Sequence, residues 1–179
     1  MGAGRWRAVT EETEWVMTQS LRENMHMVSD PVHLQLSVEE VFNLMLGVAC
    51  EMVPQRNQDQ HEAETITAVV GFGGLLSGAC VFRSGGSAAL KIAARLTGME
   101  FTEMDDTVKD AIGEICNMLA GAWKGKVPDL AANCGLSIPA VITGSNYNIH
   151  VQAPEFRLHH TYRFDDATFD VTIICDGLQ

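Results

Sequence analysis

The stretch TVKDAIGEICNMLAGAWKGK, Thr107 to Lys126, decides how this chain is read. Val108, Ile112, Ile115, Leu119 and Ala122 recur with helical spacing, which predicts an amphipathic helix with one face on a core. Thr107 and Asp110 have the spacing of a capping box at its start, and Pro128 follows as the stop. At about 100° per residue with Val108 set to zero, the apolar stripe runs from about 300° through zero to about 60°. On that wheel Gly113, Lys124, Asn117, Asp110, Gly121 and Glu114 follow one another, in that order, around the opposite side. Glu114 and Asn117 therefore project together, about one turn apart, from the face opposite the core.

Three features mark that face as more than a solvated surface. Asparagine is a poor helix former because its amide competes for backbone hydrogen bonds, so Asn117 costs several tenths of a kcal/mol in mid-helix without a structural return. Gly113, Gly121 and Gly125 lie on or beside the same face, each about 0.8–1 kcal/mol worse than alanine there, and glycine permits close approach of another backbone. Glu114 lies two turns inside the helix, where capping does not explain it. A carboxamide cannot act as a general base, and one carboxylate without a metal or a second acid is thin equipment for a self-contained hydrolase. The pair is suited instead to completing another protein's site: Asn117 both donates and accepts, so it can align a water for in-line attack on a phosphoryl group, and Glu114 can pair with a cation. Glu114 and Asn117 are the candidate catalytic residues; Gly113, Gly121 and Lys124 are candidates for partner docking.

Working outward, Val38, Val41, Phe42, Met45, Ala49 and Met52 predict a second long helix from Ser37 to about Val53, ended by Pro54. The runs TITAVVGF and LLSGACVF flank Gly73 and Gly74 and predict a hairpin. Ser87 to Leu96 reads as a short helix, with Gly98 in the position that favours a left-handed residue. The C-terminal part is strand-like: CGLSIPAVI, NYNIHVQA, FRLHHTYRF and TFDVTIIC, with turns at residues 144–146, Pro154 and residues 165–167. Strands joined by short turns pair antiparallel, which predicts an α+β fold: about six antiparallel strands with three or four helices, two of them long and amphipathic. Residues 1–29, with Trp6 and Trp15 but no sustained period beyond a short helix at 11–24, read as an N-terminal extension to a single domain at 30–179.

Composition narrows the function. Of 179 residues 46% are hydrophobic, enough for one packed domain and too many for a disordered chain. A formal charge of -11 argues against binding nucleic acid through its phosphates. No run of about 18 apolar residues and no signal-like N-terminus is present, so neither a membrane nor an export route is expected and the protein reads as cytoplasmic. Five widely spaced cysteines without a CxxC pair read as reduced core thiols. The adjacent His159 and His160 point to opposite faces of a strand and cannot easily share a metal, and the hairpin glycines lack the helix and lysine of a phosphate loop. No metal site is expected.

An internal repeat adds a second candidate. Glu40, Asn43 and Gly47, earlier in the chain, have the same spacing as Glu114, Asn117 and Gly121, and each set lies on a predicted helix later followed by a hairpin. Glu40 is also the third residue after Ser37, the spacing of a capping box, so a structural role competes with a second functional motif.

The run DAIGEICNMLAGAWKGKV, Asp110 to Val127, preceded by ALKIAARLTG and followed by LSIPAVITG, resembles the CheC, CheX and FliY chemotaxis phosphatases, and most of all the CheX branch. The resemblance covers about residues 31 to 176. It implies dephosphorylation of the phospho-aspartate of a CheY-like response-regulator receiver, with Asn117 positioning the hydrolytic water and Glu114 contacting the receiver's lysine. It implies that the receiver, not this chain, carries the Mg²⁺, and that two copies pair as a homodimer through edge strands. The competing expectation is a non-catalytic interaction or scaffold protein that keeps the fold; a thiol sensor built on Cys116 is a third.

Overall fold

The computed structural model describes residues 25–54, 64–145, 147 and 154–178. The helix read at 11–24 and most of the strand read at 146–153 lie outside them. Two helical segments, α1 (Met25–Val28) and α2 (Pro31–Val41), lead into a π-helical turn, Phe42–Leu46. There follow β1 (Glu51–Val53), the hairpin β2 (Thr65–Gly74) and β3 (Leu76–Gly85), α3 (Gly86–Thr97) and the motif helix α4 (Asp106–Gly125). The chain ends in α5 (Pro128–Asn133), β4 (Cys134–Leu136), β5 (Ala140–Gly144), β6 (Phe156–Phe164) and β7 (Ala167–Leu178). The seven strands form one antiparallel sheet in the order β1-β6-β7-β3-β2-β4, with β5 also pairing β2. The α+β reading holds, with one strand more than expected.

Alternation along β2 buries Ile66, Ala68, Val70 and Phe72, and the register places Phe82 and Cys80 of β3 beside Ala68 and Val70. The helices pack there, α4 against β2 and β3 and α3 against β3 and β7, while α2 packs on α4. Phe42 stacks on Phe169 with ring centroids 4.4 Å apart, and Phe82, Tyr162 and Phe164 complete an aromatic cluster that ties the π turn to the sheet. Val28 is fully buried in the same core.

The first long helix departs from its expected course. It starts at Pro31 in the first turn, where its missing N–H costs nothing, under an Asp30 cap that accepts from the Val32 amide at 2.9 Å. Ser37 is buried in mid-helix and its hydroxyl donates to the His33 carbonyl, so it does not cap and the capping box with Glu40 does not form. The π turn then shifts the helical phase: Phe42 and Leu46 are buried, whereas the predicted Met45 is 44% exposed. Gly47, at φ 65°, ends the helix, and Met52, 51% exposed, sits on β1. The second long helix runs within a residue of its expected span, but its cap is Asp105, accepting from the Val108 amide, and not Thr107. Pro128, read as a stop, opens the short helix α5, where proline fits the first turn.

Gly78 sits at a register shift between β3 and β7 where an added Cβ would lie 2.0 Å from the Ile174 carbonyl oxygen. Neither backbone can retreat without breaking the ladder. Gly78→Ala is expected to lower unfolding free energy by at least about 2–3 kcal/mol, whereas Gly73→Ala, with nothing within 4 Å of the new Cβ, stays within about 0.5 kcal/mol. Urea denaturation of both variants measures this, and equal stability for the two would contradict the register.

Candidate functional site

Helix α4 is buried along a wider arc than its apolar stripe suggested. Besides the stripe, in which Ala122 is only half-buried, Ala111, Gly113, Cys116, Ala120 and Trp123 are buried. Trp123 packs on Phe72 with ring centroids 5.2 Å apart, and the Cys116 thiol lies against the Ala68 and Cys80 carbonyls at the sheet surface. On the far flank Gly113 meets the edge strand: an added Cβ would touch Val141 at 3.3 Å and Pro139 at 3.4 Å. Gly113 therefore serves close approach within the chain, not docking of a partner. What remains open is a narrow strip carrying Asp110, Glu114, Asn117 and Gly121.

Glu114 is exposed and Asn117 half-buried on that strip. Among the described residues no side-chain hydrogen bond or ion pair engages either one. Gly121 is half-buried, 4.0 Å from Leu136 at the position a Cβ would take. Lys124, the third docking candidate, is already engaged: its ammonium donates to the carbonyls of Ala131 at 3.1 Å and Cys134 at 2.6 Å, joining α5 and β4 to the motif helix. The neighbouring lysines are engaged as well, Lys109 with Asp106 at 2.8 Å and Lys126 with Glu40. The carboxylate of Asp106 is held below its usual range by Lys109, which is in turn held above its own.

The first motif has a different geometry despite its equal spacing. Glu40 lies at the end of α2, Asn43 within the π turn, and Gly47 at the left-handed cap, so the three residues do not share one regular helix face as Glu114, Asn117 and Gly121 do. Lys126 reaches across from the end of α4 to the Glu40 carboxylate. Beside this pair lies an open cleft of about 490 Å³, lined by residues that include Leu36, Glu39, Asn43 and Cys50; no residue of the Glu114 strip lines it. Asn43 is exposed, and Leu44 next to it is 71% exposed.

Among the described residues no group of three or more histidine, cysteine or acidic side chains is close enough to hold a metal ion. His159 Nδ1 is 2.8 Å from Thr172 Oγ1 on one face of the sheet, whereas His160 packs near Tyr162 on the other. Burial lowers both imidazole pKa values, with the Asp170 charge opposing the shift at His159. Among the described residues no helix is long and apolar enough to cross a membrane.

The domain is thus an antiparallel α+β fold that carries an exposed glutamate and a half-buried asparagine one turn apart on its longest helix. Residues 66–161 match the family described as Chemotaxis phosphatase CheX, and the chain belongs to that family. It is 30% identical over 86 residues to the CheY-P phosphatase CheX of Thermotoga maritima; the match spans 48% of this chain and 56% of that protein. The crystal structure of CheX from Desulfovibrio desulfuricans superposes with a TM-score of 0.67 at 20% identity, over 83% of this chain and 98% of that one. The CheX chain in the CheX-CheY-BeF3-Mg²⁺ complex from Borrelia burgdorferi superposes with a TM-score of 0.62 at 19% identity, over 81% and 96%.

The five thiols are unpaired, and all but Cys50 are buried. Burial, with the Glu39 charge adding to it, pushes the Cys50 thiol up to about 12, and burial raises Cys175 to about 11. Both shifts leave little thiolate near neutral pH, and Cys116 is shielded by the sheet. Titration of the folded protein with an aromatic disulfide reagent at pH 8 is therefore expected to label Cys50 slowly and Cys116 only after unfolding. Rapid labelling of Cys116 in the native state would revive the thiol-sensor reading.

Proposed function

We propose that the chain dephosphorylates the phospho-aspartate of a CheY-like receiver domain, with Glu114 and Asn117 entering the receiver's active site. The observation that carries this reading is their shared placement on the open strip of α4, without intrachain partners among the described residues, in a member of the CheX family. Asn117 holds the attacking water through its carboxamide, accepting one of its hydrogens and orienting its lone pair along the line of the scissile P–O bond. The water oxygen forms the new bond to phosphorus, the bond to the aspartyl oxygen breaks, and the carboxylate leaves with the electron pair. Asn117 takes no proton; its contribution is orientation, the loss of which is worth about 100-fold or more. Glu114 pairs with the receiver's lysine and fixes the register of the two proteins. The Mg²⁺ belongs with the receiver.

The first motif takes no part in this reading, because Glu40 already has a lysine from its own chain and Asn43 sits on a π turn. Two copies are read as pairing through edge strands, and sedimentation of the purified protein measures whether they do so.

Asn117→Ala is expected to cut stimulated release of phosphate from the phosphorylated receiver about 100-fold with unchanged thermal stability, and Glu114→Ala to raise the half-saturating receiver concentration. The double variant Glu40→Ala, Asn43→Ala keeps wild-type turnover. Timed loss of radiolabelled phosphoryl group, with this chain in catalytic amounts, checks all three. Binding without acceleration by the wild type would favour a scaffold, and wild-type turnover by Asn117→Ala would refute the assignment.

A further inference from the structure

The edge strand beside the motif helix carries an irregularity that redirects one side chain. Leu136 of β4 pairs Phe72 and Ala140 of β5 pairs Val69, so three residues, Ser137, Ile138 and Pro139, face only two, Val70 and Gly71, on β2. This is the count of a β-bulge, a device that bends an edge strand and re-aims a residue. Its flanks are pinned. The Ser137 amide donates to the Gly71 carbonyl at 2.9 Å and the Gly71 amide donates to the Ser137 hydroxyl at 2.8 Å, which in turn donates to the Ile138 carbonyl at 2.9 Å. Pro139 sits on Gly113, and its ring also restricts the backbone of Ile138. Between these supports Ile138 is 88% exposed, the most exposed large apolar residue among those described.

Its place along α4 follows from the contacts on either side. Leu136 lies beside Gly121 and Pro139 beside Gly113; Asn117 lies midway between those glycines in the sequence. Ile138, between Leu136 and Pro139, therefore falls alongside the part of α4 that carries Asn117. Electrostatics leaves a need for such a group. The chain carries a formal charge of -11, a phosphorylated carboxylate cluster is itself anionic, and the three lysines nearest the strip are spent on Asp106, on backbone carbonyls and on Glu40. Beyond the pairing of Glu114 with the receiver's lysine, attraction is left to apolar contact, and an isoleucine whose backbone is held by a pinned bulge loses little conformational freedom on docking.

We propose that Ile138 is the apolar anchor that holds the phosphorylated receiver while Glu114 and Asn117 act on it, its counterpart being an apolar patch beside the receiver's phosphorylated carboxylate. The inference rests on the reading under Proposed function. Burial of one isoleucine side chain corresponds to roughly a 10- to 100-fold change in binding. Ile138→Ser is thus expected to raise the half-saturating concentration of phosphorylated receiver by that factor with kcat at saturation unchanged, and Ile138→Leu to restore it. The same shift is expected in the dissociation constant for a receiver carrying beryllofluoride and Mg²⁺. Leu44→Ser, at the first motif, leaves both quantities unchanged.

Normal stimulation by the wild type with an unmoved half-saturation for Ile138→Ser would overturn the anchor and leave the phosphatase reading standing. An equal rise for Leu44→Ser, or a change of oligomeric state in place of a change in half-saturation, would overturn it too. Absence of stimulation and of binding by the wild type would sink the phosphatase reading and the anchor with it. An unchanged thermal midpoint for Ile138→Ser separates lost docking from lost folding.

Discussion

Helix α4 is held on three sides, by the sheet, by the helices α2 and α3, and by the bulged edge strand, and the third of these contacts is close because residue 113 has no side chain. With Val141 at 3.3 Å and Pro139 at 3.4 Å from the position of a Cβ, a larger residue would push the strand away from the helix. The strand would take Leu136 and the Ser137 pins with it. Because the strand stays close, α4 keeps only a narrow strip in solvent, and the residues on that strip are positioned by the whole domain. On the function proposed above, a pair on a rigid, well-packed element is oriented before its partner arrives, which is the condition under which positioning one water contributes substantially to rate.

The same packing accounts for the economy of charge around the strip. The Lys124 ammonium donates to the backbone carbonyls of Ala131 and Cys134, and Lys126 to Glu40, so both lysines already have partners within the chain. Among the described residues no cation pairs with Glu114. The two motifs, alike in spacing, thus differ: Glu40 is paired with Lys126, whereas among the described residues Glu114 has no lysine.

Much of this is legible in the amino-acid order. The 3.6-residue stripe on Thr107 to Lys126, the glycine-centred hairpin and the strand-like run FRLHHTYRF appear in the structure within a residue or two, because each reports a local backbone preference. The Asp30-Pro31 start of α2 is also a local signal, an N-cap followed by proline in the first turn, which the more regular apolar spacing downstream obscures. Ile138-Pro139 within a strand-like run likewise marks a bulge, since proline is tolerated in a strand mainly at edges and irregularities.

What the sequence by itself determined is the character of α4: its length, its apolar face and the presence of Glu114 and Asn117 away from that face, all set by chemistry within a few turns of the chain. Only the tertiary structure decided how much of the remaining surface stayed open. The burial of Gly113 by Pro139 and Val141, the capture of Glu40 by Lys126, and the phase shift that exposes Met45 each depend on segments distant in sequence or on a π turn that no periodicity announces. Side-chain spacing constrains direction along one helix; which neighbour fills that direction is fixed by packing, where contact and exclusion act between parts of the chain that carry no local record of each other.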